Sequence, residues 1–387
     1  MLKKVSQAAF YLAITIELII VILDKSVYII QYEGQWFRLT FALFLFKLLL
    51  TKYNTKEKVA IAAFIVFGAI SYLCSGHNEI LRLIVMVAAC KDINYRYLLK
   101  FIFFFTLAGC AALVILSFAG IGIFSITTDF GRGEVDTRYC LGMGHPNALH
   151  CMYWSLCVLG LYIYEKQIKT IHFLLLMIGN VGLFILTDSR TGFLATILTL
   201  GMFFLLRLAP VRNRSNLLCV LFIIVCALSF ILSYLMMNND LFWSKLRQLD
   251  DIVTGRILWT HMGIIQSKTW FWLPFSAHNR FAQTDLGFVK MVYWYGYIPT
   301  LVFLVMCCIL VRTALKKGDY AVWAVTLSIV IYSIFEGHTV SVYHGRNYIY
   351  FLWAIYWSEM LGLSREDKKA DKCIVSRGED GSNILIL

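Results

Sequence analysis

The chain has 387 residues, of which 60% are hydrophobic and 15% charged, with a mean hydropathy of +0.72. A soluble domain carries about a quarter charged residues, so a water-soluble globule is excluded. The formal charge of +12 is scattered over short segments between apolar runs, a pattern that fits membrane topology better than a nucleic-acid partner.

Most of the apolar runs span about 17–25 residues, enough to cross roughly 30 Å of hydrocarbon as helices. In lipid the backbone must satisfy its own hydrogen bonds, and the short alternating segments of a membrane barrel do not occur. Met1-Leu2-Lys3-Lys4 precedes a long apolar run without a small-residue cleavage site, so the first span is expected to be uncleaved. About twelve spans are predicted, near 8–23, 37–51, 58–75, 78–91, 98–121, 143–164, 170–187, 192–209, 216–236, 287–311, 319–335 and 345–362.

Two connections are long, Gly122–Gly142 and Asn238–Leu286. Within the second, Phe242, Leu246, Leu249 and Val253 recur at helical spacing, as do Ile257, His261 and Ile265. The run Trp270-Phe271-Trp272-Leu273-Pro274-Phe275 suits the headgroup level, so short surface-lying helices are expected there. Residues after about 363 are polar and charged, a disordered cytoplasmic tail. The expected fold is an all-α polytopic membrane protein: one bundle over 1–362 and a tail over 363–387.

Charge sets the orientation. With the N-terminus inside, the cytoplasmic connections carry Lys52/Lys56/Lys58, Lys91/Arg96, Lys166/Lys169, Arg207/Arg212/Arg214 and Arg312/Lys316/Lys317, and the tail adds Arg365, Lys368, Lys369, Lys372 and Arg377. Both termini are then cytoplasmic. In this frame His77, His145, His150, His261, His278, His338 and His344 fall toward the outer face, and His172 alone toward the inner one. Lys47 and Lys100 lie near inner ends and can snorkel. Glu17 is deeper and needs a partner, because a charge at mid-helix costs about 2.5–3.5 kcal/mol on insertion scales. Arg82 is expected to pair with Glu79 at i,i+3.

Four outer constellations could carry chemistry. Thr254-Gly255-Arg256 through Trp259, with Ser276-Ala277-His278-Asn279-Arg280, couples a guanidinium that binds phosphate bidentately to an imidazole able to take a proton. The alternative is a solvated loop with ordinary charges. Thr187-Asp188-Ser189-Arg190-Thr191-Gly192 is a very short turn that holds Arg190 at the mouth of the bundle beside a helix N-terminus, which favours an anion. It reads equally as a capping turn with a snorkelling arginine. Gly142-Met143-Gly144-His145-Pro146-Asn147 opens the sixth span and can be a plain helix start. Glu336-Gly337-His338 through His344-Gly345-Arg346 gathers a carboxylate, two histidines and an arginine, or is a solvated loop.

No metal is expected. No His-x-x-x-His occurs with a third ligand, the eleven cysteines lack ligand spacing, and Glu134 and Asp136 fit a solvated loop better. Most of the cysteines sit within spans as small apolar fillers, and a Cys140–Cys151 disulfide is not favoured. No phosphate-cradling glycine loop suggests a nucleotide cofactor.

Together these motifs resemble the O-antigen polymerase and ligase superfamily, the Wzy-type polymerases of bacterial polysaccharides. The resemblance rests on Gly144-His145-Pro146-Asn147, Ser189-Arg190-Thr191-Gly192, Gly255-Arg256 with Trp259, and His278-Asn279 followed by Tyr295-Gly296, in that order. Pro274-Phe275-Ser276-Ala277 lacks the glycines that family members often have before the His-Asn pair. The resemblance implies a GT-C-like, metal-independent glycosyltransferase in the bacterial plasma membrane. It would polymerise undecaprenyl-pyrophosphate-linked oligosaccharide repeats at the outer face without a cofactor, beside flippase and chain-length regulator proteins.

Carried over to this sequence, Arg256 and Arg190 would engage the pyrophosphate and His278 would be the base or acceptor-orienting group. His145, Asn147, Asn279, Arg280, Glu336, His338 and Arg346 would line the substrate. Alternatives are a ligase of the same superfamily, a glycolipid flippase or transporter, and an acyltransferase. A flippase would need intramembrane polar groups, and this sequence is polar mainly at its two faces.

Overall fold

A computed structural model describes residues 2–129, 133, 135–208, 214–235 (with the backbone of 236 and 237), 250, 255–258, 260 and 284–362. The helices are α1 (Leu2–Asp24), α2 (Glu33–Leu49), α3 (Thr55–Ser75), α4 (Glu79–Ala89), α5 (Tyr95–Phe118), α6 (Pro146–Ile163), α7 (Thr170–Thr187), α8 (Arg190–Leu205), α9 (Ser215–Met237), α10 (Gly287–Tyr295), α11 (Tyr297–Lys316), α12 (Tyr320–Phe335) and α13 (Ile349–Met360). Six described helices are long and apolar enough to cross a membrane: α1, α3, α5, α7, α9 over Ser215–Leu235, and α11. The chain is a membrane-embedded, mostly helical bundle.

Its exterior is as apolar as its interior. Helix α7 buries only Asn180 and Thr187, while Ile185 on the same helix is 76% exposed. In water such a face would be penalised; in hydrocarbon it is the expected lipid contact. Helix α12 is the opposite case. It is apolar all round and buried along almost its whole length, with α6, α8, α9, α10, α11 and α13 packed about it, as befits a central helix.

The structure departs from the sequence expectations in specific places. The connection 122–142 is not plain loop. Ser125–Asp129 (β1) and Val135–Tyr139 (β2) form an antiparallel hairpin in which Ile126 faces Arg138 and Thr127 faces Thr137. The expected span 287–311 is broken at Gly296, whose φ of 93° and ψ of 175° leave the helical region, so α10 and α11 are separate. Helix α4 has only 11 residues. The last span shrinks to α13, preceded by a 3₁₀ turn over His344–Arg346. The expected surface helices of 238–286 and the tail 363–387 lie largely outside the described residues. Cys140 and Cys151 are both free.

Arg82 pairs with Glu17, not Glu79. Its Nη2 lies 3.0 Å from Glu17 Oε1, its Nη1 donates to Val342 O at 3.1 Å, and the guanidinium stacks 3.8 Å from the Phe37 ring centroid. Thr40 Oγ1 donates to the same Glu17 oxygen at 2.6 Å. Tertiary packing across α1, α2 and α4 thus pairs Glu17 with Arg82, whose partner the local i,i+3 rule placed at Glu79.

Polar contacts collect at the two ends of the bundle. At one end Lys91 Nζ meets Glu57 Oε2 at 2.6 Å, Lys317 meets Glu359, and Tyr356 donates to Asp319 at 2.6 Å. The other end carries the hairpin and the connections 25–32, 188–189, 284–286 and 336–348.

Candidate functional site

Four segments meet at the hairpin end. Asp250 Oδ1 accepts the backbone N–H of Ile257 at 2.7 Å and caps the helical turn that bears Arg256. Ile257 is fully buried against Leu286, Val289, Val292 and Tyr293, so the turn is anchored on α10. Thr260 Oγ1 lies 2.7 Å from Thr284 Oγ1, which ties the turn bearing Arg256 to the segment that leads into α10. The start of α10 rests directly on the end of α12: a Cβ on Gly287 would meet Ser333 O at 2.5 Å and Glu336 O at 2.8 Å. Only glycine fits there.

These constraints bring Arg256 to Glu336. Its Nη1 lies 2.8 Å from Glu336 Oε1 and donates to Phe335 O at 2.5 Å, and its Nε lies 3.9 Å from Asp285. Burial works against the Arg256 charge, but Glu336 and then Asp285 outweigh it, so its pKa stands above the ordinary value. The same Glu336 oxygen accepts Thr191 Oγ1–H at 2.7 Å. One carboxylate thus joins Arg256 to the N-terminus of α8.

The α7–α8 turn is held by three neighbours. Asp188, at φ 47°, pairs with Arg138 of β2 at 3.0 Å. Thr187 and Asn180 bond the two ring nitrogens of His150 at 3.2 and 2.8 Å. Gly192 abuts the His150 ring, where a Cβ would come within 2.8 Å. His150 is therefore a satisfied interior group. Arg190, the first residue of α8, is exposed, and among the described residues it makes no ion pair.

His145 caps α6, its Nδ1 accepting the Asn147 N–H at 3.1 Å; a neutral ring then carries its proton on Nε2. Gly144 donates to Lys25 O at 2.7 Å, and a Cβ there would meet Ser26 O at 2.8 Å. The His145 side chain is exposed, yet its pKa lies below the usual imidazole value. Partial enclosure comes first, opposed by Asp285 and reinforced by Arg138, Arg256 and Lys25. His338 is 7% exposed, with Nε2 3.4 Å from Ser155 Oγ. Burial, then the charges of Lys25 and Lys290, push its pKa well down, so it is a neutral imidazole at neutral pH.

Of the residues singled out from the sequence, Arg256 and Glu336 are in direct contact, His145 feels the charges of Arg256 and Asp285 and holds the Asn147 N–H, His338 feels those of Lys25 and Lys290, and Arg190 precedes Thr191, which bonds the shared carboxylate. Arg346 faces inward instead: it pairs with Asp24 and its guanidinium lies 4.2 Å from the Tyr343 ring centroid. His278, Asn279 and Arg280 lie outside the described residues. Lys25, Arg138, Asp285 and Lys290 belong to the site and were not singled out. Lys25 and Lys290 carried a usable signal, being lysines on the side where lysine is scarce. No group of three metal-ligating side chains occurs among the described residues.

Chemically, the site offers the Arg256 guanidinium, already neutralised by Glu336, with the Lys25 and Lys290 ammonium groups nearby. The Asp285 side chain is 71% exposed and only 3.9 Å from Arg256, so it can yield its place to a stronger anion. A diphosphate, with several acceptor oxygens, is such an anion. The chain matches no protein-family model, no curated protein and no solved structure.

Proposed function

We propose that this protein is a metal-independent membrane glycosyltransferase that polymerises undecaprenyl-pyrophosphate-linked oligosaccharide repeats at the outer face of the bacterial plasma membrane. In this reading the bundle is a GT-C-like frame of about twelve spans with both termini cytoplasmic, and the hairpin end faces outward. Arg256 and Arg190 hold the pyrophosphate leaving group and stabilise the charge that develops on it. His278 deprotonates the acceptor hydroxyl. The sugar–phosphate bond of the donor supplies the free energy, so no nucleotide is required.

The observation that carries the proposal is the meeting of Arg256 and Thr191 on a single oxygen of Glu336. It joins two of the arginine-bearing motifs on which the resemblance to the polymerase superfamily rests. The test is Arg256→Ala and His278→Ala in the native host. Long polymer is expected to disappear while single repeats still reach the surface. Loss of all exported repeats would indicate a flippase, loss of transfer of finished polymer a ligase, and unchanged polymer length would remove the assignment.

A further inference from the structure

A cavity of about 640 Å³ lies at the end of the bundle opposite the hairpin. Three pieces of chain frame it: the first turns of α5, the end of α6 with the connection that follows, and the α11–α12 turn. Arg96, Lys100, Lys166 and Lys317 line it, with two carboxylates, Glu165 and Asp319.

Basic residues are common at one end of a membrane bundle, but at this end others are already matched. Lys91 meets Glu57, and Lys317 meets Glu359. Arg96, Lys100 and Lys166 make no ion pair among the described residues. Arg96 and Lys100 stand at i,i+4 on one face of α5, a like-charge pair that works against the helix unless an anion lies beside it. Asp319 is committed elsewhere: it accepts the Tyr356 hydroxyl at 2.6 Å and caps α12 through the Val322 N–H. With Lys317 assigned to Glu359 and both wall carboxylates counted at full charge, three cations still face two anions.

That excess of one positive charge narrows the occupant. A phosphodiester carries a single negative charge, whereas a phosphomonoester carries about −1.5 to −2 at neutral pH. Guanidinium and ammonium groups both bind phosphate oxygens. The volume suits a small organic molecule rather than a bare inorganic ion. The walls also include Tyr95, Tyr162 and Tyr164, the ring type that collects at the headgroup level, and Lys100 Nζ lies 5.8 Å from the Tyr164 ring centroid. Leu99 and Ile163 add apolar wall beside the charges. Cationic groups, tyrosines and hydrocarbon side by side match the boundary between a lipid headgroup and its acyl chains.

We propose that this cavity binds the phosphodiester headgroup of an acidic phospholipid from the adjoining leaflet, held by Arg96, Lys100 and Lys166. A zwitterionic lipid brings its own cation into the same basic surroundings and is disfavoured. The proposal rests on the membrane-embedded bundle and on neither the glycosyl-transfer reading nor the orientation of the chain.

The test is native mass spectrometry of the full-length protein in mild detergent, with equal amounts of phosphatidylglycerol and phosphatidylcholine of the same acyl chains. Phosphatidylglycerol should be retained several-fold over phosphatidylcholine. The preference should vanish in Arg96→Gln/Lys100→Gln/Lys166→Gln and survive in Lys100→Arg/Lys166→Arg. All three side chains are exposed. Should the triple variant fail to fold, Lys166→Gln, which lies outside the helices, should lower the preference by itself. Absence of a preference in the unaltered protein, or a preference unchanged by the glutamine variants, overturns the proposal. Free glycerophosphoglycerol, the same headgroup without acyl chains, separates the two sources of the anion. It should compete only in large excess, and full displacement at an equimolar amount would make the ligand a soluble phosphodiester and overturn the lipid assignment.

Discussion

At the scale of single residues, buried charge dominates. Glu17 and Arg82 are 2% and 6% exposed and serve each other. Removing one partner leaves an uncompensated charge, a loss of about 3–5 kcal/mol. Glu17→Gln alone and Arg82→Met alone should each lower the thermal midpoint sharply, and the double variant should recover part of the loss. Additive single losses would contradict this pairing. His338 gives a prediction in pH. Its folded pKa is depressed, so the unfolded chain takes the proton first as pH falls below about 6.5. Its share of stability is complete above that value and is lost as pH drops toward the folded pKa. Thermal unfolding at pH 7.5 and 5.5 should show a smaller decline for His338→Gln than for the unaltered protein; His344, also held well below its usual value by burial, accounts for some of the remainder.

At the scale of elements, α10 is the piece on which the site depends. Its Ile257-facing surface anchors the Arg256 turn, and its first residue rests on the end of α12. Gly287→Ala would place a Cβ against two backbone carbonyls that cannot turn aside. A loss of about 1–3 kcal/mol is expected, read as a lower thermal midpoint, with shortened polymer if the functional reading holds. An unchanged midpoint would mean that α10 can shift without cost.

The sequence made parts of this scale legible. The starts of α6 and α8 fall where Pro146 and the Ser189-Arg190 turn place them. The hairpin was hidden inside an apparent loop, although Ile126, Thr127, Thr128, Val135 and Thr137 are β-branched and flank Gly131 and Gly133, a readable strand–turn–strand signal. The break at Gly296 was hidden for a different reason. Hydropathy runs straight through it, and only the backbone dihedral reveals that the helix stops. Arg82 was misassigned because local spacing says nothing about a partner 65 positions away.

At the scale of the whole molecule, apolar length and the repeated Lys/Arg bias were legible because the bilayer imposes both on sequence directly. The convergence of the site was legible only in outline. Motifs such as Ser189-Arg190-Thr191 and Glu336-Gly337-His338 announce polar groups, whereas Lys25 and Asp285 acquire meaning only from tertiary neighbours. The proposed orientation rests on the charge bias and can be measured. A cysteine placed at exposed Thr127 should react with a membrane-impermeant maleimide in intact cells, above the background of the unaltered protein, and one at exposed Lys56 should react only after permeabilisation. The reverse pattern would put the hairpin in the cytosol and remove the proposed site from its substrate.

The Glu336 carboxylate, held by Arg256 and Thr191 at once, has a kinetic consequence. If the proposed transfer holds, a resting centre that is already self-neutralised would not cling to the polyanion it releases, because an internal substitute stands ready to take over the guanidinium the moment the product departs. On the glycosyl-transfer proposal, free inorganic diphosphate should accordingly be a weak inhibitor, and turnover should not stall on an empty, highly charged socket.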